Sequence, residues 1–211
     1  MLSRIPDERD ASAATPAADA ALAQRCRRRD RAALDELYRR HVRGVERVLG
    51  RLLGPTPDLE DLVQTTFLEA LRGIGGYRGE ARLSTWLARV AVHVAHHHLR
   101  GLTRRRARLT LVRDPDGPGA PDAADPRLAP ARVEARADLR RLYAVLDTIP
   151  PQRRIALLLH LAEGYAVDEV AALTGTTRFA TRARLALARR QLRAALAADP
   201  ELRALLSEGD A

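Results

Sequence analysis

From Leu34 onward apolar residues recur at three- and four-residue steps: Leu34, Leu37, Tyr38, Val45, Val48, Leu49 and Leu52. That is the period of one helix face, and Gly54-Pro55 stops it. Asp58 stands as the N-cap of a next helix whose stripe is Leu59, Leu62, Val63, Phe67, Ala70, Leu71 and Ile74. Gly73, Gly75, Gly76 and Gly79 mark a loop. Ser84 then caps a helix carrying Trp86, Leu87, Val90, Ala91 and Val94 that runs toward Arg100. A further helix over about 20–29 shows a weaker pattern.

A second patterned block begins near Val133, where Leu139, Leu142, Tyr143, Leu146 and Ile149 share a face up to Pro150-Pro151. Pro151 suits an early position of the next helix, Gln152 to Glu163, which Gly164 closes. A short helix over Val167–Leu173, a turn at Thr174-Gly175-Thr176 and a long helix from Thr177 to about Ala197 follow. Two helices across a short glycine-containing turn are the pattern of a helix-turn-helix. Residues 1–20 lack periodicity and read as a disordered arm. Asp114 to Pro130 is rich in Pro, Gly and Asp and reads as a flexible linker. The expected fold class is all-α: two small helical domains, 21–112 and 133–198, joined by a linker over 113–132 and followed by a tail over 199–211.

Charge sharpens this picture. Thirty-six basic residues face 27 acidic ones, a formal charge of +9. Every basic residue of that count is arginine, in keeping with a GC-rich coding bias, yet the surplus still raises on-rates toward polyanions. Aromatics at 3% argue against a β-sandwich, a base-stacking platform or an aromatic-lined pocket. A single cysteine, Cys26, excludes an internal disulfide or a multi-thiolate metal site. No apolar run approaches the roughly 18 residues of a membrane span, and the N-terminus lacks the apolar core of a signal peptide. A soluble cytoplasmic polyanion binder without membrane insertion is therefore expected.

Within the last helix, Thr181, Leu185, Ala188 and Leu192 form the core face, while Arg178, Arg182 and Arg189 share a flank that suits phosphates or guanine edges. An ordinary helical hairpin with a solvated Arg face has the same pattern. The basic run Arg100, Arg104, Arg105, Arg106 and Arg108 is weaker evidence, since such runs are often only solvated. Asp58, Glu60 and Asp61 complement a helix dipole whatever else they do. His93 and His97 lie one turn apart, beside His96 and His98, but no Glu or Cys completes a metal site. Cys26 sits among Arg25, Arg27, Arg28 and Arg29, which would favour its thiolate, and with no second Cys it reads as a bystander.

In order, these pieces resemble the extracytoplasmic-function (ECF) sigma factors of bacterial RNA polymerase. Asp61-Leu62-Val63-Gln64-Thr65-Thr66-Phe67 resembles the Asp-Leu-Val-Gln-x-x-Phe segment of region two. Tyr77-Arg78-Gly79-Glu80, Ser84-Thr85-Trp86-Leu87 and Arg89-Val90-Ala91 are similar to the stretches that follow it. Ile149-Pro150-Pro151-Gln152-Arg153 resembles the opening of region four, and Glu163-Gly164-Tyr165 with Asp168-Glu169-Val170-Ala171 the entry to its helix-turn-helix.

The resemblance implies a promoter-selecting subunit that is not itself an enzyme and needs no cofactor. Asp58, Glu60, Asp61, Leu62, Gln64 and Thr65 would bind core RNA polymerase, acid meeting arginine. A loop from Tyr77 to Ser84, including Arg78, Arg82 and Leu83, would hold a base flipped from the minus-ten element of promoter DNA. Trp86, Arg89, His93, His96, His97 and Arg100 would line the adjoining helix, although Trp86 at helical spacing from Val90 equally suits the core. Thr177, Arg178, Arg182, Ala183, Arg184, Ala186 and Leu187 would face the minus-thirty-five element. There the family's polar face is depleted: Arg182 keeps donor character, Ala183, Ala186 and Leu187 do not, and Phe179 replaces a small Gly. Base reading by hydrogen bonds should be reduced accordingly, leaving thymine methyls and phosphates, or a docked protein. An anti-sigma factor is a common partner in the family. A stand-alone helix-turn-helix regulator leaves the Asp61–Phe67 and Tyr77–Leu87 segments unexplained, and a His-metal hydrolase lacks its remaining ligands.

Overall fold

The computed structural model describes residues 15–111 and 130–199. Most of the expected linker, the arm over 1–14 and the tail beyond Asp199 lie outside the described residues. The described chain is all-α. Its helices are α1 (Pro16–Arg27), α2 (Arg31–Leu53), α3 (Leu59–Gly73), α4 (Leu83–Leu111), α5 (Pro130–Leu146), α6 (Pro151–Leu161), α7 (Val167–Leu173) and α8 (Arg178–Ala198).

Three local differences from the sequence reading have clear causes. Helix starts at Pro16, inside the stretch read as an arm, because Thr15 caps it by accepting from Ala18 N at 3.2 Å and a proline suits the first helical position. Leu22, Ala23 and Cys26 then bury one side of α1. Asp58 occupies the cap position of α3 but makes no side-chain cap bond, and its carboxylate lies 3.7 Å from His98 Nε2 instead. Ser84 falls inside the first turn of α4. Asp19 accepts from Leu83 N at 3.0 Å and so caps that helix from 64 residues away. That bond is buried, where an unpaired carboxylate or amide would be costly.

Helices α1 to α4 pack as a bundle around Leu37, Leu49, Leu52, Phe67, Leu83 and Leu87. In the second block α5, α6 and α7 pack on α8, with Leu146, Ile149, Leu157 and Ala188 at their centre. The two blocks meet. Helix α6 lies against α2 and α4, and Ile155, Leu159, Val170, Leu173 and Leu185 join the apolar cluster of the first bundle.

Arg154 fixes that meeting. It is 2% exposed, donates to Leu53 O at 2.9 Å, pairs with Asp147 and lies over the Tyr143 ring at 5.4 Å. Asp147 is also held by Arg106 at 2.8 Å. Tyr143 donates its hydroxyl to Arg51 O at 2.6 Å, and Arg51 reaches Ala162 O at 2.5 Å. The carbonyls left open at the end of α2 are thus taken up by the second block.

His41 gives the bundle a pH dependence. It is buried on α2, and burial, helped by the charge of Arg40 and opposed by Asp19, pushes its imidazole down to about 4. An unfolded histidine titrates near about 6.5, so between those values the unfolded chain takes up a proton that the fold refuses. Stability is full above the unfolded value and falls as pH drops toward the folded one, by about 3 kcal/mol from this group. Urea unfolding at several pH values should show His41→Leu losing much of the decline seen in the parent chain. Equal pH slopes in the two would refute this assignment.

Candidate nucleic-acid and polymerase interface

The outer face of α3 separates acids from core. Glu60, Asp61, Gln64 and Thr65 are exposed and Leu62 half-buried, whereas Val63, Thr66 and Phe67 are buried. Asp61, Gln64, Thr65 and Leu68 follow at three- and four-residue steps and share one side. Leu68, 55% exposed, joins them, although it belongs neither to the apolar stripe nor to the polar residues of the motif. Asp58, also exposed, stands at the start of this helix. Beside them Tyr38 is partly exposed and lies on Phe67, ring centroids 4.9 Å apart. The surface offers carboxylates, an amide and an apolar contact to a basic partner.

The loop between α3 and α4 is a built element. Arg27 donates to Ile74 O at 3.0 Å and to Tyr77 O, while Asp19 holds Leu83 at the far end. Tyr77 donates its hydroxyl across the loop to Ala81 O at 2.8 Å. Helix α1 therefore anchors both ends of the loop. Arg78 and Arg82 are exposed on it, and Ser84 is half-buried. Tyr77 and Leu83 are buried, which corrects their reading as direct DNA contacts: both side chains are used to pack and brace the loop from beneath.

Along α4, Arg89, His93, His97 and Arg100 are exposed, while Trp86 and His96 are half-buried. Trp86 leans on Tyr77, ring centroids 5.7 Å apart, so the core role weighed for it holds in part. His93 and His97 lie 4.5 Å apart, centroid to centroid. Among the described residues no three His, Cys, Asp or Glu side chains are placed to hold a metal ion. His96 is pushed toward its neutral form by burial first, then by Arg100, His97, His93 and Arg184. Cys26 moves the other way from expectation: it is buried, and burial pushes its thiol up despite Arg25, because the nearby guanidiniums do not outweigh lost solvation.

Trp86, Arg89, His93 and His96 face a cavity of about 400 Å³ whose far wall includes Ile155, Leu173 and Arg184. The blocks are therefore tightly joined around Arg154 and loosely joined here.

The helix-turn-helix is assembled as expected. Glu169 accepts from Ala166 N at 2.7 Å at the start of α7, and Gly175 takes φ +62° in the turn. Thr177 caps α8 by accepting from Ala180 N at 3.2 Å. Thr181, Leu185 and Ala188 are buried, while Arg178, Phe179, Arg182, Ala183 and Ala186 are exposed and Leu187 half-buried. Arg178 pairs with Asp168 at 3.1 Å. Arg184 corrects the sequence reading: two residues on from Arg182 is about 200° around the helix, which turns it to the interblock cavity.

Fold and surfaces define a two-block helical protein with an exposed acidic face on α3, a braced arginine loop and a helix-turn-helix in the second block. The Sigma-70 region 2 family matches residues 37–105, and the Sigma-70, region 4 family matches residues 139–192. The chain is 32% identical over 154 residues to the RNA polymerase sigma factor CarQ of Myxococcus xanthus, covering 72% of this chain and 82% of that one. It is 34% identical over 165 residues to the ECF RNA polymerase sigma factor SigE of Mycolicibacterium smegmatis, covering 77% of this chain and 61% of that longer protein. In fold it is similar to CnrH, solved in complex with the cytosolic domain of CnrY, with TM-score 0.56, 24% identity and coverage of 86% and 98%. The chain belongs to the ECF sigma factors of RNA polymerase. The stand-alone regulator is not favoured, and no described helix is long and apolar enough to cross a membrane.

Gly54 tests the join between the blocks. Its φ of +80° and ψ of −164° suit glycine alone, and a Cβ there would overlap the Tyr143 ring. Gly54→Ala should cost about 1–3 kcal/mol from the backbone, plus the Tyr143 contact. We expect a larger radius of gyration by small-angle scattering with helix content retained. An unchanged radius and melting temperature would show that the join does not depend on this approach.

Proposed function

We propose that this sigma factor binds core RNA polymerase through the outer face of α3, holds a melted promoter base with the loop before α4, and places α8 on the upstream duplex. The observation that carries this reading is the match between chemistry and block. The region-two block presents exposed Asp61 and Gln64 and a loop anchored at both ends, and the region-four block presents an arginine-flanked helix behind a glycine turn. Glu60, Asp61, Gln64, Thr65 and Leu68 would meet basic side chains of the polymerase. Exposed Arg78, Arg82, Arg89 and Arg100 would take phosphates around the separated strand, with His93 and His97 beside them. Extruding a base costs a few kcal/mol, and a loop already held in shape adds little ordering cost to that.

The chain catalyses no bond change in this scheme. Selective binding of the open strand shifts the melting equilibrium, and polymerase supplies the chemistry. It acts in the cytoplasm, where core enzyme and promoters are, and a protein of the anti-sigma class is its further partner. Because Trp86 and His96 face the second block, full use of the α4 surface requires the blocks to separate.

Two measurements test the assignments. Asp61→Arg combined with Gln64→Ala should weaken core binding at least tenfold with unchanged circular dichroism, since both side chains are exposed. Undiminished affinity would remove the α3 face from the polymerase contact. Arg78→Ala and Arg82→Ala should lower permanganate reactivity at the start site more than they lower duplex binding. Normal reactivity in both variants would end the loop assignment.

A further inference from the structure

The chain has two phenylalanines, and the fold treats them oppositely. Phe67 is buried in the first bundle, whereas Phe179, in the first turn of α8, is 83% exposed. Nothing in the core requires it. Thr181, Leu185 and Ala188 bury the inner side of α8, and the 100° helical step puts Phe179 on the opposite side. Ala183 and Ala186 follow at steps of four and three, both exposed, so the three residues form one narrow apolar strip along the outermost line of the helix.

The surroundings of the strip select its partner. Arg178, Arg182 and Arg189 run along one side of it, and exposed Arg190 and Arg193 continue its line toward the end of the helix. Asp168, on α7, takes Arg178 at 3.1 Å. An apolar line with cations along one side and at its far end fits a surface that carries apolar groups next to an anionic edge. The DNA major groove has that form wherever thymine presents its C5 methyl between two phosphate backbones. A basic rim is poorly matched to an apolar protein face, which would leave several guanidiniums without partners.

We propose that Phe179, with Ala183 and Ala186 behind it, is a specificity-determining contact that reads thymine methyl groups in the upstream promoter element. The proposal rests on the reading of α8 as the duplex-facing helix. The flanking arginines hold the helix in the groove by phosphate contacts that are indifferent to sequence. Discrimination then comes from burying methyl groups against the phenyl ring and the alanine methyls. Transfer of one methyl out of water corresponds to about a fourfold preference for thymine over a base lacking it.

Deoxyuridine is thymidine without that methyl and keeps every hydrogen-bonding edge, so it isolates the contact. A promoter is first selected from a random library with holoenzyme reconstituted from core polymerase and the full chain. Each upstream thymine is then replaced singly by deoxyuridine, and holoenzyme affinity is measured. The wild-type factor should lose about fourfold at one or two positions. Phe179→Ala should bind thymine and deoxyuridine versions equally, and Phe179→Leu should restore part of the difference. Phe179 is exposed, so both variants should keep the parent circular dichroism, core affinity and initiation from a pre-melted template.

Indifference of the wild-type factor to deoxyuridine at every upstream position would overturn the proposal. So would a thymine preference that survives Phe179→Ala, or a loss of core affinity in that variant without loss of thymine preference. Failure of the chain to form a holoenzyme at all would count against the proposed function instead, and the two failures are thereby distinguished.

Discussion

The buried guanidinium of Arg154 is the centre of the contact between the two halves of this molecule. A helix leaves its last carbonyls without partners, and α2 ends where solvent is displaced by α5 and α6. Arg154 donates to one of those carbonyls, pairs with Asp147 and is covered by the Tyr143 ring. Burial pushes its pKa down, while Asp147 and Tyr143 hold it up. Removing one partner of a buried pair costs several kcal/mol, because the charge that remains is neither hydrated nor paired. The closeness of Gly54 to Tyr143, the Arg51 bond to the end of α6 and the shared apolar cluster surround that charge and keep water from it.

Much of this was legible in the sequence, and the remainder was hidden for definable reasons. The stripes of α2, α3 and α4 and the glycine turn between α7 and α8 announce themselves because apolar periodicity and turn chemistry are local. Helix α1 does not. Its alanine-rich stretch has a shallow pattern, and it is held by Asp19 bonding to Leu83 and Arg27 bonding to Ile74 and Tyr77, partners 47 to 64 residues away. Long-range polar bonds leave no periodic trace. For the same reason Ser84 read as a cap, when the cap is an aspartate from another helix.

The functional surfaces divide in a similar way. Asp61, Gln64, Arg78, Arg82, Arg89 and Arg182 are exposed where a motif reading would have them. Tyr77, Leu83 and Arg184 are not, since residue type alone does not tell which side of a loop or helix a side chain leaves from. The motif places Phe179 on the α8 face without saying how far it stands out, and Leu68 lies outside both the α3 stripe and the polar motif, so the exposure of each is seen only in the fold. A loop held at one end by the Arg27 bonds and at the other by the buried Asp19–Leu83 bond is more defined than its glycine content suggests. Its arginines are displayed from a fixed frame.

The join between the blocks has consequences for the order in which DNA can be engaged. In this arrangement the outer strip of α8 and its exposed arginines face solvent, so the duplex contact proposed for them needs no rearrangement. Trp86 and His96 instead share a cavity of about 400 Å³ with Ile155, Leu173 and Arg184, and a strand laid along that side of α4 must displace the second block. A ligand shifts such an equilibrium only by the difference in its affinity for the two arrangements. On the proposed reading, a ligand of the outer side of α8 has no such difference to draw on, whereas one that needs the cavity side of α4 does. The loose packing at the cavity lowers the resistance on that side, and the Arg154 cluster concentrates it on the other. The polar contacts between the blocks thus gather at the end of α2, on the side away from the space between α4 and α8.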